Sequence, residues 1–265
     1  MSESVTGRGS PSEKLRLKIV QCRLCPRLVA YRESVKPRAS YATQAYWHKP
    51  VPGFGDLSGR VLILGLAPAS HGGNRTGRIF TGDASSRFLV KALFAAGFAN
   101  QPISESRDDG LRYSDCYVTA ALKCSPPGDK PTSEEFANCS PFLMQEISLM
   151  MNLRAVVALG ALAFRTYLDY LGRRGVNVRG VTFSHGGSHS FEGLPRLYAS
   201  YHPSPRNTNT GKLTQRMLVR LFMRVRRDLA QGEQMVDNRR PGIGNERERI
   251  KLANAERRST EFFRP

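Results

Sequence analysis

RVLILGLAPASHGGNRTGRIFTGD, residues 60–83, begins with an apolar run, Val61 to Leu64, of the length and character of a buried strand. The run breaks at Gly65-Leu66-Ala67-Pro68 and gives way to a glycine-rich loop that carries Asn74 and Arg75. That loop delivers Phe80 and then the carboxylate Asp83, after which Ser85 to Ala96 reads as a helix. A strand feeding a glycine-rich loop and then a helix is how open α/β sheets build sites at the carboxyl ends of their strands. The glycines first suggest a phosphate cradle, but neither a Walker lysine nor a dinucleotide fingerprint follows the strand. The stretch is therefore read as a strand-end site of another kind, with Phe80 and Asp83 at its far end.

Outward from this unit the alternation repeats. Cys116 to Leu122 is a second strand, stopped by Lys123-Cys124-Ser125-Pro126-Pro127-Gly128, whose double proline cannot continue a ladder. Thr132-Ser133-Glu134-Glu135 starts a helix with Ser133 as the expected N-cap, and Phe136, Cys139, Leu143 and Ile147 follow at helical spacing. Ala155 to Leu159 is a third strand, ending at Gly160 and passing into a helix through Tyr170. His185-Gly-Gly-Ser-His189 reads as a loop, Arg196 to Tyr201 as the fourth strand, and Lys212 to Leu229 as the last helix. On the N-terminal side, Lys14 to Val20 begins the ordered chain and Leu28 to Val35 is a short helix. Residues 36–59 are turn-rich around YWHKPVPGFGD, where Trp47 is expected to anchor the loop and His48 is a site candidate without a role.

Strands alternating with helices, without hairpin signals, imply parallel crossovers and a sheet covered on both faces. The expected fold is α/β: a three-layer α/β/α sandwich on a central, mainly parallel, four-stranded sheet. Residues 1–12 are expected to be a disordered N-terminal tail, 13–230 the domain, and 231–265 a flexible charged C-terminal tail in which Phe262 and Phe263 could dock.

Forty Lys and Arg against 22 Asp and Glu give a formal charge of +18 and a pI near 10.3. That excess favours an anionic polymer as partner. An anionic membrane surface competes for the same charge, but no run approaches the roughly 18 apolar residues of a membrane span. The first residues, MSESVTGRGSPSEK, carry no apolar signal region, so the expected location is cytoplasmic.

Five cysteines in such a compartment read as ligands or core residues rather than disulfides. Cys22 and Cys25 form a CxxC followed at once by Pro26; Cys124 stands at a strand end and Cys139 on the next helix. Four thiols in this pattern can tie an N-terminal segment onto a domain through one metal centre. Tetrahedral zinc and a [4Fe–4S] cluster both accept four thiolates, and spacing alone does not choose between them. Cys116, within an apolar strand, reads as core.

The ordered set Cys22-x-x-Cys25, YWHKPVPGFGD, Gly65-Leu66-Ala67-Pro68-Ala69, GNRTGRIFTGDAS, Lys123-Cys124-Ser-Pro-Pro and His202-Pro203-Ser204-Pro205 spans residues 20–215. In it the chain resembles the iron–sulfur uracil-DNA glycosylases, and among them the type-B branch called family five. The resemblance implies a monofunctional glycosylase that hydrolyses the N-glycosidic bond of a damaged base and leaves an abasic site for base excision repair. It also implies that Cys22, Cys25, Cys124 and Cys139 hold a structural [4Fe–4S] cluster, which settles the choice against zinc. Phe80 is similar to the aromatic that stacks on the flipped base, His202 to the histidine that hydrogen-bonds the departing base, and Asp83 to the carboxylate that activates water. Gly65, Leu66, Ala67, Ala120 and Asn207 complete the expected base contacts, and Arg75, Arg78 and Arg206 are candidates for phosphate contacts. The expected partner is double-stranded DNA with a damaged or mispaired base, with single strands also open, and the expected state is a monomer.

Two departures qualify the match. Related branches carry an acid or amide where this chain has Ala67-Pro68-Ala69, which moves the catalytic burden elsewhere. The sister thermostable branch reads uracil with an Asn where this chain has Ala120, and a methyl group makes no hydrogen bonds. The expected specificity is therefore broad: uracil, deaminated purines such as hypoxanthine, and modified pyrimidines. Taken without the resemblance, Phe80 is a core plug, Asp83 a helix N-cap, and His202 a structural histidine. A non-catalytic iron–sulfur nucleic-acid-binding protein is the alternative that the acid-free turn favours. A small-molecule enzyme reusing the loop is the other rival, and it gains nothing from +18. His71, His185 and His189 have no assigned role.

Overall fold

The computed structural model of the chain describes residues 9–237. Six strands form one sheet: β1 (Phe54–Gly55), β2 (Val61–Gly65), β3 (Cys116–Ala120), β4 (Ala155–Leu159), β5 (Ser188–His189) and β6 (Arg196–Ser200), in spatial order β1-β3-β2-β4-β6-β5. The four inner strands are parallel, and they are the four that the apolar runs predict. The two edge strands are antiparallel additions of two residues each. Two-residue strands carry too little alternation to be read from sequence, and both lie inside segments expected to be loops.

Among the described residues eight α-helices complete the architecture: α1 (Pro11–Val20), α2 (Pro26–Ser34), α3 (Gly73–Thr76), α4 (Ala84–Ala95), α5 (Ser133–Leu149), α6 (Ala161–Arg173), α7 (Pro205–Thr208) and α8 (Gln215–Asp237). Pairing aligns Leu62 with Tyr117 and Val156, and Val156 with Leu197, so these side chains share one face of the sheet. They form a continuous core with Leu143 and Ile147 of α5 and Phe164, Tyr167 and Leu171 of α6. Residues of the other parity point the opposite way and are as deeply buried, among them Val61, Ile63 and Val157. There Cys116 faces the Phe98 carbonyl, Phe98 meets Phe222 of α8 edge-on, and Arg224 lies over the Tyr198 ring. The three-layer expectation is met, with Cys116 a core residue at 0 % exposure.

Several boundaries move. The N-cap of α5 is Thr132, one residue before the expected Ser133, because Thr132 and Glu135 close a reciprocal capping box. Helix α1 starts at Pro11, capped by Ser10, so the last two residues of the expected 1–12 tail are helical. Helix α8 starts at Gln215 rather than Lys212 and continues to Asp237, past Leu229 and into the expected tail. Residues 1–8 and 238–265 of the expected tails, Phe262 and Phe263 included, lie outside the described residues. Of the described residues, those up to Val225 belong to one compact unit and those from Arg226 to a second. Among the described residues no helix is long and apolar enough to cross a membrane.

Candidate active site and cysteine cavity

The strand order places a site. From β2 the chain moves to β3 on one side, and from β4 it moves to β6 on the other, so the crevice between the carboxyl ends of β2 and β4 is a topological switch point. Gly65 ends β2 opposite Ala120 at the end of β3, and Gly160 follows β4 with its N–H on the Ser200 carbonyl of β6. His202 leaves β6 two residues later, and its Cβ lies 3.2 Å from where a Cβ on Gly160 would stand. Phe80 crosses to meet it, with ring centroids 6.1 Å apart. A Cβ on Gly65 would come within 2.8 Å of the Phe80 ring, so glycine at this strand end is what lets the ring lie across the site.

Phe80 sits in the left-handed region, at φ 47°. For a bulky residue that conformation costs about 1–3 kcal/mol and persists only where the surroundings hold it. Ser104 Oγ donates to the Phe80 carbonyl at 3.1 Å, and Thr81, Ser104 and Asp109 converge on the Arg78 guanidinium at 2.7 to 2.9 Å. Arg78 is 3 % exposed and Arg75 is 6 % exposed. Arg75 donates to the His71 and Gly82 carbonyls and to Gln44, and packs on the Tyr41 ring. Arg75 and Arg78, expected as phosphate contacts, are both buried rivets of the loop: Arg75 holds the His71 and Gly82 carbonyls, and Arg78 holds Thr81, Ser104, Asp109 and the Arg107 carbonyl. Arg206 is exposed on α7 and stays available for a phosphate.

Asp83 is indeed the N-cap of α4: its Oδ1 accepts from the Ser86 N–H at 2.7 Å, and Ser86 Oγ closes the box. Its Oδ2 lies directly against Gly72, where any Cβ would overlap it. Burial pushes the Asp83 carboxyl above its ordinary value, while the N–H groups of Ser86 and Ser85 and the charges of Arg87 and Arg75 pull it back. Burial likewise pushes His202 down to about 4, so its imidazole is neutral at pH 7. The helix N-terminus thus favours the Asp83 anion that burial disfavours.

The remaining expected residues sort by partner. Asn207 directs its amide to the His202 carbonyl at 2.8 Å and braces that turn. The Leu66 carbonyl accepts the Leu122 N–H, and Leu66 and Ala67 pack with Leu28, Ala121, Leu122 and Cys139. His48 and Trp47 give their N–H groups to the Asn74 and Arg75 carbonyls and so brace α3, with the His48 ring on the Val35 carbonyl. His71 pairs with the Tyr46 hydroxyl and His189 with the Thr182 carbonyl. His185 stacks on Tyr201 and accepts the Tyr201 N–H at 3.2 Å, which fixes the residue before His202. Gly72, Ser104, Asp109 and His185 are contributors that sequence reasoning missed. Only the glycine carried a local signal.

Cys22, Cys25, Cys124 and Cys139 line one small cavity of about 20 Å³, bounded by Leu24, Leu28 and Phe142. Three of the sulfurs accept hydrogen bonds: Cys124 from Arg32 at 2.9 Å, Cys139 from the Lys123 N–H at 3.2 Å, and Cys25 from Asn138 at 3.6 Å. Burial pushes the thiols of Cys124 and Cys139 up to about 11 and about 12. Among the described residues, no group of three or more His, Cys, Asp or Glu is placed to hold a single metal ion. Four soft donors around an apolar cavity, with N–H groups aimed at their sulfurs, fit a polynuclear thiolate-bound centre.

A doubly covered parallel sheet with an aromatic, a carboxylate and a neutral histidine near its switch point defines an α/β protein with a strand-end site. A family profile described as the uracil DNA glycosylase superfamily matches residues 52–226, and the chain belongs to that superfamily. Within it the relatives are specific. A type-5 uracil-DNA glycosylase of Pyrobaculum aerophilum is 51 % identical over 80 % of this chain and 90 % of its own. Those of Thermus thermophilus and Mycobacterium tuberculosis are each 45 % identical, over 79 % and 83 % of this chain and 94 % and 82 % of their own. The chain is thus a member of the type-5 uracil-DNA glycosylases.

Proposed function

We propose that this DNA glycosylase hydrolyses the N-glycosidic bond of uracil, and of other deaminated or modified bases such as hypoxanthine and modified pyrimidines, leaving an abasic site. The observation that carries the reading is the convergence of Phe80 and His202 at the switch point, with Asp83 three residues beyond Phe80 on the same loop. A base inside a duplex is unreachable, so it is extruded at a cost of about a few kcal/mol, least for a mispaired base. Stacking on Phe80 offsets this by about 1–3 kcal/mol. As the bond from C1′ to the base nitrogen breaks, its electron pair leaves with the base and positive charge develops on the sugar. Asp83 stabilises that charge and takes the proton of the water that adds to C1′. The neutral His202 imidazole donates an N–H to the charge developing on the base, helped by the backbone around Gly65, Leu66 and Ala67. Ala120, buried beside Gly65, offers the base edge no hydrogen-bonding group, which supports a broad substrate range.

Cys22, Cys25, Cys124 and Cys139 would hold a [4Fe–4S] cluster. Bound there, it supplies structural cross-linking of α2 to β3 and α5. The partner is duplex DNA carrying the altered base, reached by a monomer, with Arg206 on a flanking phosphate.

A duplex with one G·U mispair tests the reading. Free uracil should be released, with strand breakage only after alkali. Asp83→Asn should lower the rate by roughly 10²- to 10⁴-fold while keeping the cap, because Asn caps about as well as Asp. Breakage without alkali, or no release, would overturn it. A panel of single-base substrates ranks the rest.

A further inference from the structure

Two buried cations border the cysteine cavity, and they differ in their partners. Lys123 is fully matched: its ammonium meets Glu146 Oε2 at 2.6 Å, Thr119 Oγ1 at 2.7 Å and the Ala120 carbonyl at 2.9 Å. Arg32 is not matched, although it is only 2 % exposed. Its Nη1 donates to Cys124 Sγ at 2.9 Å, and both Nη1 and Nη2 reach the Cys22 carbonyl at 3.3 Å. Its Nε–H is buried without an acceptor. The carboxylate in range is Glu33, 3.7 Å from Nη2, which is 42 % exposed and held at 2.6 Å by Arg23. A guanidinium taken out of water with neutral acceptors and one distant, solvated acid is strongly disfavoured unless a further anion faces it.

The cavity supplies the place for that anion. We infer that Arg32 is the counter-charge and N–H donor of the metal group held by the four cysteines, and that it sets the group's reduction potential and its resistance to air. The inference rests on reading that group as a [4Fe–4S] cluster. Four thiolates outweigh the positive charge of the cluster core, so the assembly is an anion whose sulfurs accept hydrogen bonds, and hydrogen bonds and net charge tune such clusters. Arg32 meets both needs at once: a fixed charge beside Cys124, and an unpaired Nε–H at the cavity wall. Arg32 is a positioning and tuning residue here. It touches neither the base nor the sugar.

The test compares wild-type protein with Arg32→Met, Arg32→Gln and Arg32→Lys, all purified without oxygen and assayed for iron, acid-labile sulfide, visible absorbance and reduction potential. In Arg32→Met the absorbance should bleach in air roughly tenfold faster than in wild type, the scale of one lost charge-assisted hydrogen bond. Its potential should move to more negative values, because adding an electron beside a lost cation is harder. Arg32→Lys should stay near wild type in potential, and Arg32→Gln, which keeps an N–H but no charge, should follow Met. Should Met fail to fold, the Lys and Gln pair carries the comparison alone. Variants that load a full cluster at the wild-type potential and bleach at the wild-type rate overturn the inference and leave the cluster reading standing. A purely structural Arg32, which lowers thermal stability and loading without moving the potential, overturns it as well. Wild-type protein without iron and sulfide overturns both readings.

Discussion

His202 and the two buried arginines show what burial does to single residues. Burial holds His202 down to about 4, below the ordinary histidine value near 6.5. As pH falls from about 6.5 towards 4, the unfolded chain gains a proton that the folded chain refuses, so stability is lost across that window. Thermal midpoints measured at stepped pH should fall through it in the wild-type protein, and His202→Asn should flatten the slope. The arginines yield a second test. Arg78→Met removes the charged partner of Asp109, which keeps the Glu105, Ser106 and Leu111 N–H groups, and should destabilise by about 1–3 kcal/mol, with the salt dependence of DNA binding unchanged. Arg206→Ala should do the reverse, lowering the salt slope by about 1 without moving the denaturation midpoint. Arginine in a glycine-rich loop has the same letter whether it faces solvent or carbonyls. Sequence therefore revealed that these residues matter near the site, and the hydrogen-bond partners alone revealed how.

Between β2 and α4 the loop is more rigid than its composition suggests. It folds a short helix, α3, whose Asn74 sends its amide to the Arg32 carbonyl of α2 at 3.1 Å. Ser70 bridges Tyr31 and Ser125, and Trp47 and His48 brace the other side. Glycine at 72 serves close approach, since the Asp83 carboxylate occupies the space a side chain would take. Gly72→Ala should displace that carboxylate and lower glycosylase turnover by roughly 10²-fold, the scale of about a 1 Å misplacement, with a near-native circular dichroism spectrum. An unchanged rate would show that Asp83 tolerates another rotamer. The four long strands, and the helices α4, α5 and α6, are legible because burial writes periodic apolar patterns. The edge strands, α3 and α7 are not, because elements of two to four residues are held by tertiary hydrogen bonds rather than by propensity.

At the scale of the molecule, one polar network runs beneath the site. Glu146 of α5 accepts from Lys123, Thr119, Tyr117 and the Gly53 N–H, joining the helix to β3 and to the segment before β1. Lys123 in turn grips the Ala120 carbonyl and gives its N–H to Cys139, so the end of β3 and the cysteine cavity share a residue. Glu146→Gln leaves a buried ammonium without its anion and should cost about 3–5 kcal/mol in urea denaturation, whereas Lys123→Met combined with Glu146→Leu should recover much of that loss. Additive losses in the double variant would mean that the two residues act independently. Sequence by itself determined the parallel α/β core, the order of its motifs and the family to which the chain belongs, because apolar runs and motif spacings are local properties of the chain. Tertiary structure alone decided which charges are buried and what each one faces. Arg78 became a rivet, Asp83 a helix cap, and Arg32 a buried cation against the Cys124 sulfur, because desolvation depends on neighbours that lie far away along the chain.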